Sequence, residues 1–196
     1  MAVVAANLDH ISGILLAAGS GSRFGGDKLL HPLPDGVAIA AHAARNLLAS
    51  GLNVTAVVRP GDFPLADRLE QEGCSVTVCQ EAAQGMGASL AHAVRTERGA
   101  AGWVVALADM PRIKPETIRR VAAAITAGAA IAAPSFQGTR GHPVAFAARF
   151  GHDLAALTGD SGARALLERE REALVLIDCD DPGVLLDIDR RADLER

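Results

Sequence analysis

Four glycines and two cations crowd one short stretch, Gly19-Ser20-Gly21-Ser22-Arg23-Phe24-Gly25-Gly26-Asp27-Lys28. Glycines let backbone N–H groups turn inward and approach an anion closely. Arg23 adds a planar fork of donors and Lys28 a point charge. The chemistry on offer is the cradling of a polyphosphate. Further along, Asp109 closes the apolar run Trp103-Val104-Val105-Ala106-Leu107-Ala108. A carboxylate at the mouth of such a run is costly without a partner. A magnesium ion bridging phosphate oxygens would be a suitable one, and a turn aspartate is the plain alternative. Gln84-Gly85-Met86-Gly87-Ala88-Ser89 could hold a base edge through backbone groups, or be a simple helix start.

Two better-known phosphate loops are excluded. A dinucleotide fingerprint beginning at Gly19 needs glycine where Phe24 stands, and Arg59-Pro60 replaces the acid expected after the second strand. A P-loop beginning at Gly21 needs lysine at 27 and Ser or Thr at 28, but the chain has Asp27 and Lys28.

The elements that must position these residues emerge from the hydrophobic pattern. Strands are expected at residues 12–16, 53–58, 75–78, 103–107 and 129–133, with helices at 37–49, 65–72, 86–96 and 115–127. Pro115 and Gly128 bracket the last of these helices. Apolar strands alternating with helices argue for a doubly wound α/β fold, its mostly parallel sheet covered on both faces. After Pro134 a turn at Gln137-Gly138, a helix at 161–171 and short strands at 142–146, 174–177 and 184–188 suggest an antiparallel elaboration. No linker or repeat interrupts residues 1–196, so one domain is expected. Ligands of such sheets bind outside the carboxyl ends of the strands, where the glycine loop and Asp109 fall.

Composition narrows the classes. Of 196 residues 49% are hydrophobic and 21% charged, which excludes disorder, and aromatics at 3% leave the core to Ala, Leu and Val. The net charge of −4 and the lack of a basic stripe argue against extended nucleic-acid binding. Residues 1–10 lack a basic n-region, so no signal peptide is read, and no apolar run approaches the ~20 residues of a membrane span. Cys74, Cys79 and Cys179 form no C-x-x-C pair and read as reduced thiols of a cytoplasmic protein.

The run Leu16-Ala17-Ala18-Gly19-x-Gly21-x-Arg23-x-Gly25-x-x-Lys28 resembles the signature of the MobA-like nucleotidyltransferases. The resemblance implies that Leu16, Ala17, Ala18, Gly19 and Gly21 bind nucleotide, with Arg23 and Lys28 on its phosphates. It matches Asp109, in Leu107-Ala108-Asp109-Met110-Pro111, to a catalytic metal ligand. Gly87 and Ser89 match the segment that reads the nucleobase. Asp187-Ile188-Asp189 resembles the second metal-binding run, with Asp189 the matching ligand and Asp187 the alternative. There Arg190-Arg191-Ala192 departs from the family's Thr-Pro-Glu.

Two further segments resemble the molybdenum-cofactor cytidylyltransferase branch: Gly141-His142-Pro143-Val144 and Thr158-Gly159-Asp160-Ser161-Gly162-Ala163-Arg164. They place His142 and Arg164 near the acceptor. A lone histidine also has a structural reading, and Asp160 or Ser161 is expected to cap the following helix. Asp178, Asp180 and Asp181 read as a solvated turn. Ala18, where the guanylyl branch has glycine, points to CTP. The implied reaction is Mg2+-dependent transfer of CMP from CTP to a phosphorylated acceptor such as molybdopterin, with a molybdenum enzyme as possible client. A sugar or alditol phosphate acceptor, or a non-transferring accessory protein or oxidoreductase, are the rival readings.

Overall fold

The computed structural model describes residue 8 and residues 10–19, 21, 23–97, 99–160 and 162–195. The reading of residues 1–7 and the capping role offered to Ser161 lie outside the described residues.

Four strands set the frame: β1 (Ile11–Leu16), β2 (Asn53–Val58), β3 (Ser75–Val78) and β4 (Gly102–Leu107). All run parallel, in the order β3-β2-β1-β4. Side chains alternate between two apolar layers. Leu15 of β1 and Val104 and Ala106 of β4 face one layer, while Ile14, Trp103 and Val105 face the other. The first layer is completed by α1 (Ile39–Ala49), α2 (Phe63–Gln71) and α4 (Pro115–Thr126), the second by α3 (Met86–Thr96). With so few aromatic residues, alanines such as Ala40, Ala44, Ala91 and Ala93 let helix backbones lie close to the sheet, all of them fully buried.

The second half elaborates the same sheet. β5 (Ile131–Phe136) turns through Gln137 and Gly138, both at positive φ, into the two-residue β6 (Thr139–Arg140). Two consecutive positive φ angles are what a tight hairpin requires. β7 (Val144–Ala147) then inserts antiparallel between β4 and β5. After α5 (Gly151–Ala155) and α6 (Arg164–Arg169), β8 (Leu174–Asp178) pairs parallel with β5. Among the described residues the sheet thus holds eight strands, mostly parallel, as the sequence led one to expect.

Several boundaries differ from the expected ones. α1 starts at Ile39 because the Val37 carbonyl accepts from Leu33 N–H and Ala38 bridges to Pro32. β5 starts at Ile131 because Gly128 and Ala129 are spent closing α4, bonding Ile125 and Ala124. It continues through Pro134, whose carbonyl faces Gly141; the missing ring N–H leaves no bond to β8 unmade. The expected helix 161–171 contracts to Arg164–Arg169, and α5 has no clear signal in the sequence.

The expected strand at 184–188 is absent, replaced by a 3-10 turn at Pro182–Leu185. Asp181 explains it, and is not the solvated residue its neighbours suggest. It is 2% exposed and accepts from Lys114 N–H (2.9 Å), Thr117 Oγ1 (2.7 Å) and Gly183 N–H (3.1 Å). It therefore caps the start of α4 from a distant segment and anchors the chain that leads to Asp189. Asp181→Ala strands these buried donors and should cost on the order of 3 kcal/mol. For a chain of this size that lowers Tm by roughly 6–12 °C. A calorimetric shift under about 2 °C would show that the cap is dispensable.

Candidate active site

The strand order reverses between β1 and β4, since β1 leads to β2 on one side while β4 flanks the other. Such a switch point opens a crevice beyond the strand ends. Leu16 pairs with Leu107, and Ala108 N–H donates to the Leu16 carbonyl at 3.1 Å. The glycine loop and the Asp109 turn therefore leave the sheet side by side. The C-terminal segment joins them through Ile188 N–H, which donates to the Asp109 carbonyl at 2.9 Å.

These backbone contacts bring four charged side chains together. Lys28 Nζ donates to Asp109 Oδ2 at 2.8 Å and to Asp189 Oδ1 at 3.3 Å. Arg23 reaches Asp189 Oδ2 at 3.0 Å from a largely exposed position. Gly21 makes room for this, because its φ is +58° and a Cβ there would lie 3.2 Å from the Lys28 Cβ. Lys28 itself is 8% exposed. Burial alone would lower its pKa, but hydrogen bonding and charge from Asp109 and then Asp189 outweigh it, and the pKa is raised. The ammonium remains charged at neutral pH.

The two carboxylates lie close enough to share one cation and remain partly open to solvent. That donor set suits a hard divalent ion finishing its shell with water and phosphate oxygens. Asp189, and not Asp187, is the member of its run that meets Lys28 and Arg23. A separate trio, Cys79, Glu81 and His92, places one ligand atom each within 4.8 Å of the others. Its thiol is fully buried and His92 Nε2 already bonds Thr77 Oγ1 at 2.8 Å.

Beside the charged group runs a cleft of about 810 Å³, lined in part by Leu16, Ala18, Gly19, Ser89 and Asp109. A nucleotide-sized ligand fits such a volume. Other residues expected at the site fall elsewhere. Ala17 is 1% exposed in the core, and its N–H donates to Val57. Gly87 faces the loop before α6: its N–H donates to Gly159, and a Cβ would meet the Thr158 carbonyl at 2.7 Å. Asp160 does not cap α6, whose N-cap position is Ala163, without a side-chain bond. It reaches the cleft instead, beside Gly85. Arg164 projects into solvent and pairs with Glu168 at 3.1 Å.

His142 is largely withdrawn from solvent, and its Nδ1 is buried without a partner among the described residues. Burial, then Arg140, lowers its pKa, while Asp109 opposes. The unfolded histidine gains a proton near its ordinary value of about 6.5, the folded one only at lower pH. Stability should therefore be lost as pH falls below about 6.5 and through the folded value. His142→Gln should flatten that part of the Tm-against-pH curve; parallel curves would contradict it.

Arg59 and Gln80, at the exits of β2 and β3, also line the cleft, although no motif of the sequence marks them as functional. Their position is the available signal: both stand just past the carboxyl end of a parallel strand, where ligands of such sheets bind.

A glycine-rich loop facing two carboxylates at the switch point of a mostly parallel sheet is the layout of a nucleotide-handling α/β enzyme. The chain belongs to the MobA-like NTP transferase family, whose profile matches residues 13–174, and it is a nucleotidyltransferase. It is 31% identical over 191 residues to the purine catabolism protein PucB of Bacillus subtilis, covering 92% of each chain. It is 29% identical over 193 residues to nicotine blue oxidoreductase of Paenarthrobacter nicotinovorans, covering 93% of this chain and 94% of the other. Among solved structures, Rv0371c of Mycobacterium tuberculosis superposes with a TM-score of 0.82 at 28% identity over 96% of both chains. That mycobacterial protein has also been solved in complex with manganese. Enzymes of the family generally use a divalent metal. Among the described residues no helix is long and apolar enough to cross a membrane.

Proposed function

We propose that this nucleotidyltransferase moves CMP from Mg2+-CTP to a phosphorylated small acceptor, molybdopterin being the favoured one. The observation that carries the reading is the convergence of Arg23, Lys28, Asp109 and Asp189 at one end of a nucleotide-sized cleft.

The residues divide the work. Asp109 and Asp189 would hold the divalent ion, which supplies neutralisation of phosphate charge when bound. The loop amides and Lys28 hold the triphosphate so that an acceptor phosphate oxygen lies in line with the α-phosphorus. The new P–O bond forms as the α–β bridge breaks, and pyrophosphate leaves. Lys28 and Arg23 balance the negative charge on the departing group. An acceptor phosphate is already ionised near pH 7, so no general base is required. Neutral His142 need not be one, and it stands near Asp109 as a candidate acceptor contact. Arg164 reaches an acceptor only by leaving Glu168. Reduced thiols fit a cytoplasmic enzyme; burial raises the Cys74 pKa to about 11.

Ala18 lines the cleft where β1 ends. A methyl group there takes room that glycine would leave, a difference worth about 1–3 kcal/mol, or roughly 10–200-fold. The wild type should prefer CTP to GTP in direct competition, and Ala18→Gly should narrow that ratio without necessarily inverting it. A wild type that prefers GTP would overturn the cytidylyl reading and leave the nucleotidyltransferase standing.

One observation favours a second reading. The chain is 29% identical to nicotine blue oxidoreductase, a protein named for redox chemistry. Retention of all four charged residues is what such a role would not require.

A further inference from the structure

Arg59 stands just past β2, and the transfer reaction gives it no task. Its Nε donates to Asp62 Oδ2 at 3.0 Å, and the Asp62 side chain is only 14% exposed. The guanidinium is therefore held from behind. Its two terminal amino groups make no further hydrogen bond among the described residues, and the side chain lines the cleft together with Pro60, Gln80, Ala82 and Ala83.

The sheet order says which part of a nucleotide meets it. Crossing from β4 to β3, the strand exits present Asp109, then Ala18 and Gly19, then Arg59, then Gln80. Adjacent strands lie about 4.8 Å apart, so the Arg59 backbone is displaced by two strand spacings, roughly 10 Å, from that of Asp109, and its side chain stands between the small cavity under Gly19, Gly21 and Lys28 and the cleft wall of Gln80 and Ala82. A triphosphate on Lys28 and the glycine loop would thus extend its ribose and base toward Arg59. A base there meets a fork of donors.

We propose that Arg59 reads the O2 and N3 atoms of cytosine and so selects CTP over UTP. This inference rests on the cytidylyl reading. Arginine has donors only. Cytosine offers two acceptors side by side, O2 and N3. Uracil keeps O2 but carries a proton on N3, which leaves one bond unmade and sets donor against donor. Pocket size at Ala18 cannot make this distinction, because the two pyrimidines have nearly the same shape. Lysine at 59 would preserve the charge and abolish the fork.

The test is calorimetric titration of the full chain with CTP, UTP and GTP in Mg2+, without an acceptor. The wild type should bind CTP more tightly than UTP. In Arg59→Lys and Arg59→Gln the CTP-to-UTP affinity ratio should fall by about 10–100-fold, the size that one bidentate side chain–base pair gives. UTP affinity should change little. Equal weakening of both nucleotides would mean that the arginine binds phosphate, and would overturn the proposal. So would a wild type that does not distinguish the pyrimidines, or variants that keep the wild-type ratio. Those three results leave the cytidylyl reading intact if CTP still outbinds GTP. Tighter binding of GTP by the wild type would remove both.

Discussion

Asp109→Ala should lower turnover by about 10³-fold or more while the fold persists. Asp109 lies just past β4 at the crevice, and its carboxylate receives the Lys28 ammonium at 2.8 Å. If Asp109 holds the divalent ion as proposed, its loss removes several kcal/mol of charge stabilisation, and each 1.36 kcal/mol is a factor of about ten in rate. The fold should survive because the structural bond at this position comes from the backbone, the Asp109 carbonyl accepting from Ile188. Asp109→Asn separates two roles. It keeps an oxygen for Lys28 but loses the charge a metal needs, so it should be nearly as inactive as alanine. An asparagine variant within a few-fold of wild type would mean that Asp109 only positions the lysine. An alanine variant at that level would remove it from the site.

Lys28→Ala should reduce kcat by on the order of 10²-fold, the usual effect of deleting one preorganised electrostatic stabiliser. Lys28 is 8% exposed and touches both carboxylates, so its charge acts where little water screens it. Arg23, with a side chain 73% exposed, should matter less. The loss should fall on kcat, because charge on the leaving pyrophosphate grows as the bond breaks. A rise in KM with kcat unchanged would show that Lys28 binds ground state and transition state alike.

The legible parts of the sequence are those with a local cause. Met86–Thr96 and Asn53–Val58 can be read to the residue, because Gly85 and Gly51 punctuate patterns that period and length already set. The glycine loop and Asp109 are legible because unusual residue types stand at strand exits. The illegible parts are set by distant contacts. Asp181 looks like one acid among three, and only the fold shows it buried beneath the start of α4. Gly85 and Gly87 read as base-binding glycines; Gly85 does line the cleft, and a Cβ at either would also collide with the 158–160 loop, a contact no spacing reveals. Arg59 is obscured differently: in the sequence it serves only to exclude a dinucleotide site, and its place on the cleft wall depends on the order of the strands.

The proposed reaction is attack at the α-phosphorus of a nucleoside triphosphate held by Arg23, Lys28, Asp109 and Asp189. The most direct measurement uses CTP labelled separately at the α- and γ-phosphates, with Mg2+ and molybdopterin as acceptor. The expected result is α-label in the acceptor, γ-label in released pyrophosphate, and neither with Asp109→Ala. Transfer of γ-label, or release of orthophosphate in place of pyrophosphate, would contradict it.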